Sequence, residues 1–165
     1  MKLYIVRHAI ATERGAAELA DEERPLTKEG IEKMKLNAAG LRKLGAKPDL
    51  ILSSPLVRAR QTAAILADAF SKRKVTVTPA LSPSGTIEEV YAEIRQHSKC
   101  EALMLVGHQP SLGELAGAVA WGSSEHYLEL RKGGACAVEL DRLTPQPRGR
   151  LIFLLPPAVL RRLAG

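Results

Sequence analysis

Short apolar runs that favour strands alternate with longer stretches that favour amphipathic helices, and this alternation constrains the fold more than any other feature of the sequence. The clearest helical pattern has Ile31, Met34, Ala38 and Leu41 at steps of three and four, which places them on one face. The predicted strands lie at 3–6, 49–52, 75–78, 102–106, 135–140 and 150–155, and a last helix begins at Pro157. This order of elements predicts an α/β fold. We expect a single three-layer domain over residues 1–165, with a mostly parallel sheet flanked by helices.

Three of the helices have recognisable start signals. Thr27 is a suitable N-cap for the helix that contains the apolar stripe. Two further segments, Thr86-x-x-Glu89 and Ser111-x-x-Glu114, have the spacing of a capping box. The sequence therefore predicts helices that begin after Thr27, Thr86 and Ser111.

Composition limits the class of protein. The chain has 165 residues, of which 45% are hydrophobic and 25% charged, and these values are typical of a folded domain rather than a disordered chain. Two cysteines, Cys100 and Cys136, are too few for a disulfide framework, and no Cys/His cluster has zinc spacing. No apolar run approaches the ~20 residues of a membrane span, and the N-terminus lacks a signal-peptide pattern. We therefore expect a cytoplasmic protein with no membrane partner.

The net charge indicates the class of ligand. The 24 Lys and Arg residues exceed the 18 Asp and Glu residues, which gives a formal charge of +6. Such a balance favours anionic partners. Aromatic residues make up only 4% of the chain, so the stacking side chains that bind nucleobases are scarce. The composition favours a phosphate ligand over nucleic acid.

Polar residues gather where three predicted strands end. The first strand is followed by Arg7 and His8, the fourth by His108, and the second by a helix whose first turn contains Arg58. Ligands in open α/β sheets bind outside the carboxyl ends of the strands. We therefore expect two histidines and two arginines at one edge of the sheet.

Helical spacing distinguishes Arg58 from the nearby Arg60. Arg58 shares a face with Thr62, Ile65 and Ala69, and that face packs inward. A guanidinium on an inward face needs a partner, and an anion beyond the sheet edge would supply it. The spacing predicts that Arg58, not Arg60, lies in the pocket.

These residue types suit phosphoryl transfer. A guanidinium donates two hydrogen bonds to a phosphoryl group in parallel, and an imidazole is a competent nucleophile. No carboxylate pair that could hold a cation lies near these residues in the predicted fold. The cluster therefore predicts phosphoryl transfer without a metal ion.

The same residues resemble a known family. The relevant segments are Arg7-His8-Ala9, Arg24-Pro-Leu-Thr27-x-x-Gly30, Ser53-Ser-Pro-Leu-Val-Arg58-Ala-Arg-Gln-Thr62 and Gly107-His108-Gln-Pro. Together and in this order they resemble the histidine phosphatase superfamily, which has the phosphoglycerate mutase-like fold, and within it the SixA-type phosphohistidine phosphatases. The resemblance implies that His8 is a nucleophile that becomes phosphorylated. It also implies that Arg7, Arg58 and His108 bind the phosphoryl oxygens, and that the reaction needs no cofactor.

Several positions depart from the family pattern. Ala9 replaces the usual Gly, and Ala11 and Arg14 stand where many relatives have a hydroxyl residue and an Asn. Relatives that act on phosphate esters usually carry a carboxylic acid after the third strand. The candidate general acids here are Glu88 and Glu89, and the capping box already explains Glu89.

These departures favour a phosphoramidate substrate, because a phosphohistidine imidazole leaves without a dedicated acid whereas an alkoxide needs one. The short chain leaves few residues for a cap, so an open cleft that admits a protein side chain is expected. We therefore expect a metal-independent phosphatase acting on histidine-phosphorylated protein, in monomeric form. Two alternatives remain open: a small-molecule phosphomonoesterase using the same site, and a non-catalytic phosphate-binding module.

Overall fold

The computed structural model describes residues 1–15 and 19–165. Six strands and five α-helices alternate along most of the chain. In order they are β1 (Lys2–Arg7), α1 (Lys28–Lys43), β2 (Leu50–Ser53), α2 (Val57–Ala69), β3 (Lys74–Val77), α3 (Ile87–Gln96), β4 (Ala102–Gly107), α4 (Ser111–Trp121), β5 (Ala135–Arg142), β6 (Arg148–Leu155) and α5 (Pro157–Ala164). All six predicted strands are present, and the predicted terminal helix begins at Pro157.

The strands form one mixed sheet in the order β3-β2-β4-β1-β5-β6. The first four of these strands pair in parallel. β5 runs antiparallel to β1, and β5 and β6 form an antiparallel hairpin. The predicted mostly parallel sheet is confirmed, with β5 as the antiparallel strand.

Helices cover both faces of the sheet, as predicted. Side chains of a strand alternate between faces, and β1 shows this clearly. Tyr4 and Val6 pack in the core beneath α1, α2 and α5. Leu3 and Ile5 pack in the opposite core beneath α3 and α4. The chain is therefore a single three-layer α/β domain.

Two of the three predicted helix starts are confirmed, and the third is wrong. Thr27 caps α1 by accepting a hydrogen bond from the Gly30 amide, and Thr86 and Glu89 form the capping box of α3. The predicted box at Ser111 is absent, because the helix already includes Ser111 as its first residue and the cap position is Pro110.

A glutamine side chain replaces the predicted cap of α4. The side-chain oxygen of Gln109 accepts a 2.7 Å hydrogen bond from the first-turn amide of Gly113, which also donates to the carbonyl of Pro110. Gln109 thereby stabilises the start of α4, three residues after His108.

In the described residues, no helix has the length and apolar character that crossing a bilayer requires.

Candidate active site

Strand register brings the two histidines together. Arg7 at the end of β1 pairs with Gly107 at the end of the neighbouring parallel strand β4. The residues that follow, His8 and His108, therefore leave the sheet side by side. Their ring centroids are 5.1 Å apart and the ring planes are inclined at 53°.

The hydrogen bonding of His8 leaves one ring nitrogen available. Its Nδ1 lies 2.7 Å from the carbonyl oxygen of Ala9. Because a carbonyl only accepts hydrogen bonds, Nδ1 carries the hydrogen and Nε2 keeps its lone pair. His8 is 7% exposed. This burial, reinforced by the charges of Arg58 and Arg7, lowers the pKa of His8 to about 3. His8 is therefore a neutral imidazole at neutral pH.

A buried threonine holds the backbone that follows His8. The amide of Ala9 donates a 3.0 Å hydrogen bond to Oγ1 of Thr62, whose hydroxyl donates to the carbonyl of Arg58 at 2.7 Å. Ala9 is not among the described residues with positive φ, so the methyl group that replaces the family glycine causes no backbone strain there. The Ala9 departure is compatible with the site.

His108 is also buried and neutral. It is 4% exposed, and its Nε2 lies 2.8 Å from the hydroxyl oxygen of Ser54. Burial, together with the nearby charge of Arg58, lowers the pKa of His108 to about 4. Its Nδ1 is buried with no hydrogen-bond partner among the described residues. A substrate oxygen could satisfy that atom.

Arg58 is 4% exposed and is held by an aspartate that the sequence analysis missed. Its Nη1 donates to the backbone carbonyl of Asp21 at 2.6 Å, and its Nη2 donates to the Asp21 carboxylate at 3.0 Å. Arg14 and Arg24 also pair with this carboxylate, at 2.7 and 2.8 Å. Burial alone would raise the pKa of Asp21, but the hydrogen bond from Arg14 and the charge of Arg58 lower it to about 2.

The neighbouring Arg60 lies elsewhere. It is exposed and lines a separate groove with Gln61, between α2 and β3. This placement matches the predicted faces of α2, with Arg58 turned inward and Arg60 outward.

The segment that leads into β5 positions Arg7. The Nη1 of Arg7 donates a 2.9 Å hydrogen bond to the carbonyl of Leu130, in the segment between α4 and β5. Its Nε is buried with no partner among the described residues. The Nε–H of Arg7 can therefore still donate a hydrogen bond to a ligand beside His8.

All four predicted site residues line one open cleft of about 410 Å³. Its lining is Arg7, His8, Ala11, Thr12, Glu13, Arg14, Arg24, Arg58, Pro83, His108, Gln109 and Lys132. Five of these side chains are cationic, whereas the carboxylate in the lining, Glu13, is exposed. The cleft therefore suits an anionic ligand with a phosphoryl group near His8.

The two candidate general acids lie outside this lining. Glu88 and Glu89 are both exposed on the first turn of α3. Hydrogen bonds from the backbone amide and the side chain of Thr86 lower the pKa of Glu89, which is opposite to what a general acid needs. The structure does not bring either glutamate to the cleft.

In the described part of the chain, no group of three or more His, Cys, Asp or Glu side chains is arranged to hold a metal ion. The positive charge around His8 comes from arginine and lysine side chains.

Sequence reasoning did not assign a site role to Asp21, Ser54 or Lys132. Ser54 directly follows β2, so the rule that placed the histidines could have included it. Asp21 and Lys132 lie in segments without periodicity. The sequence therefore contains no local signal that they reach the cleft.

Comparison with known sequences finds a matching family model and two similar proteins. The family model described as histidine phosphatase superfamily (branch 1) matches residues 3–119. An uncharacterized protein of Picosynechococcus sp. is 44% identical over 136 residues, covering 81% of this chain and 82% of its own length. The phosphohistidine phosphatase SixA of Escherichia coli is 28% identical over 127 residues, covering 75% and 77%.

Structural comparison extends the similarity over almost the whole chain. A solved structure of the protein histidine phosphatase SixA complexed with tungstate superposes with a TM-score of 0.85 at 25% identity. The match covers 97% of this chain and 99% of that structure. The three-layer fold therefore has a counterpart among solved structures.

Proposed function

This chain belongs to the histidine phosphatase superfamily, as its motifs predict, and we propose that it is a phosphatase that hydrolyses phosphohistidine on a protein through a phosphorylated His8. One observation carries the proposal. His8 presents an unprotonated Nε2 in an open, cation-lined cleft, and neither candidate general acid reaches that cleft.

The first step transfers the phosphoryl group to the enzyme. Nε2 of His8 attacks the phosphorus, so that an N–P bond to His8 forms while the N–P bond of the substrate breaks. Arg7, Arg58 and Nδ1–H of His108 donate hydrogen bonds to the phosphoryl oxygens and stabilise their charge in the transition state. The leaving imidazole nitrogen takes a proton from solvent.

The second step returns the enzyme to its starting state. A water oxygen attacks the phosphorus of phospho-His8, the bond to Nε2 breaks, and inorganic phosphate leaves. The water's proton passes to solvent. His8 returns to the neutral form, which its lowered pKa of about 3 maintains.

The choice of a phosphoramidate rests on the leaving group. Histidine titrates near pH 6.5, so its imidazole is protonated readily as the N–P bond breaks. An alkoxide needs a positioned acid, which typically contributes about 10²–10⁴-fold. Since Glu88 and Glu89 lie outside the cleft and Glu13 is exposed, no buried carboxyl group is poised for that role among the described residues.

The E. coli relative supports this choice, because it is named a phosphohistidine phosphatase. The openness of the cleft supports a substrate carried on a folded protein. Arg7 and Arg58 supply the charge that a metal ion would otherwise provide, so we propose a metal-independent reaction.

The decisive experiment compares substrates in the presence of a chelator. A phosphohistidine-bearing carrier protein, a sugar phosphate and p-nitrophenyl phosphate are presented at equal concentrations, and kcat/KM is measured for each. We expect the carrier to exceed the sugar phosphate by at least about tenfold, given the absent general acid. The p-nitrophenolate group leaves without an acid, so that ester reports only whether the site transfers a phosphoryl group. A sugar phosphate turned over faster than the carrier would instead favour the small-molecule phosphomonoesterase.

Rapid quench with a labelled substrate tests the covalent step. Acid-labile phosphate should accumulate on the wild-type protein and be absent from His8→Ala. His8→Ala should lose more than about 10³-fold in turnover while still binding phosphate, as expected for loss of a nucleophile. Unlabelled wild-type protein without turnover would favour the non-catalytic binding module.

A further inference from the structure

Lys132 is a cation of the cleft that the proposed chemistry does not use. It lines the same cleft as His8 and is exposed to solvent. Within the described residues it forms no ion pair with a carboxylate. The phosphoryl contacts assigned above come from Arg7, Arg58 and His108, so Lys132 is available for another anionic group.

Hydrogen bonds to residues on either side of Lys132 hold its backbone close to Arg7 and His8. The amide of Gly133 lies 3.1 Å from the carbonyl oxygens of both Arg7 and His8. On the other side of Lys132, the Leu130 carbonyl accepts from Arg7 at 2.9 Å. The lysine is therefore anchored at both flanks to the two residues that begin the phosphate site.

Three other cations of the cleft already have a counter-ion. Arg14, Arg24 and Arg58 all pair with the carboxylate of Asp21. Lys132 has no equivalent counter-ion in the described chain. A substrate that brings only a phosphoryl group would leave this lysine without a partner.

We propose that Lys132 binds a second anionic group of the substrate, a carboxylate next to the phosphoryl group. This inference rests on the proposed function. In a protein substrate the group is an acidic side chain that flanks the phosphorylated histidine. Lys132 then determines specificity and takes no part in the chemical step.

The test measures binding without turnover. The probes are ω-phosphonocarboxylates with one, two or three methylene groups, each paired with its neutral carboxamide. Dissociation constants are measured by calorimetry for wild-type protein, Lys132→Gln and the control Arg131→Gln. Arg131 is the adjacent exposed cation, and it does not line the cleft.

At least one carboxylate should bind wild-type protein about fivefold more tightly than its amide, which is typical of a partly exposed ion pair. In Lys132→Gln the carboxylate and its amide should bind within about twofold of each other. Arg131→Gln should keep the wild-type ratio of the two dissociation constants. The proposal is overturned if no carboxylate is preferred, if the preference survives in Lys132→Gln, or if both variants lose it equally.

A second measurement tests whether Lys132 also recognises an acidic side chain in phosphohistidine substrates. Phosphohistidine peptides with Glu or Gln beside the phosphorylated residue should differ in KM on wild-type protein and not on Lys132→Gln. If neither peptide is hydrolysed, the proposed function fails, and the phosphonate affinities still decide the role of Lys132.

Discussion

The hydroxyl of Ser54 lies 2.8 Å from Nε2 of His108, on the opposite side of the ring from the unpartnered Nδ1. A neutral imidazole carries one hydrogen, so these two atoms have complementary roles. If Ser54 donates its hydroxyl hydrogen to Nε2, the ring hydrogen stays on Nδ1. Nδ1 can then donate to a phosphoryl oxygen. We therefore expect Ser54 to act as a positioning residue that favours the Nδ1–H tautomer of His108.

Replacing Ser54 with Ala should lower kcat/KM about tenfold, because one buried hydrogen bond is lost and both tautomers of His108 become populated. Nitrogen NMR of the His108 ring should show the change of tautomer directly. Ser53→Ala is the matched control, since Ser53 is equally buried but its hydroxyl donates to a backbone carbonyl. Equal losses in the two variants, with no change in the His108 spectrum, would contradict the positioning role.

Arg58→Ala should reduce kcat/KM by more than about 10²-fold, because it removes a buried donor to the transition-state charge. Arg60→Ala should stay within about twofold of wild type, since the Arg60 side chain is exposed in a different groove. Steady-state kinetics of the two variants, with circular dichroism to confirm folding, provides the check. Similar losses of kcat/KM in the two variants would mean that the inward and outward faces of α2 do not differ in function.

Asp21→Asn should lower kcat about fivefold to tenfold, because the bond that orients Nη2 of Arg58 loses its charge. The same change should strengthen inhibition by inorganic phosphate about threefold, since Arg14, Arg24 and Arg58 lose their internal counter-ion. Steady-state kinetics with phosphate as competitor separates the two effects.

Glu22→Gln is the control for that measurement, because Glu22 is adjacent and exposed and pairs with none of these arginines. It should change neither kcat nor the inhibition constant of phosphate. An Asp21→Asn variant with unchanged kcat and weaker phosphate inhibition would show that Asp21 does not compete with the substrate for these arginines.

The parts of the site that the sequence predicted depend on regular structure. His8 and His108 follow adjacent parallel strands, so the sheet alone brings them together. Arg58 was distinguished from Arg60 by helical periodicity, which needs no tertiary information. The start of α1 after Thr27 was also predictable from local sequence, because a threonine N-cap acts within one turn.

The parts that were missed depend on contacts between distant segments. Asp21 reaches Arg58 across 37 positions of sequence. Lys132 is brought to His8 by the pairing of β1 with β5. The start of α4 was misplaced because Gln109, an unusual capping residue, accepts the hydrogen bond expected at Ser111. No local pattern encodes these contacts.

The buried histidines should make the protein less stable as the pH falls. His8 and His108 have native pKa values of about 3 and about 4, below the value of about 6.5 expected in the unfolded chain. At pH values between the native and the unfolded pKa, the unfolded chain binds more protons than the native state. The free energy of unfolding therefore increases with pH in this range and decreases on acidification. Each histidine contributes at most about 1.4 kcal/mol per pH unit to this slope.

His8→Asn removes one of these titrating groups while keeping a side chain of similar shape. The free energy of unfolding, measured with urea between pH 7 and pH 4, should therefore depend less steeply on pH than in wild type. The two slopes should differ by up to about 1.4 kcal/mol per pH unit below pH 6. Above pH 7 the two curves should run parallel, because His8 is neutral in both the native and the unfolded wild-type chain. Parallel curves down to pH 4 would mean that the pKa of His8 is the same in the native and unfolded states, and that burial does not keep its imidazole neutral on acidification.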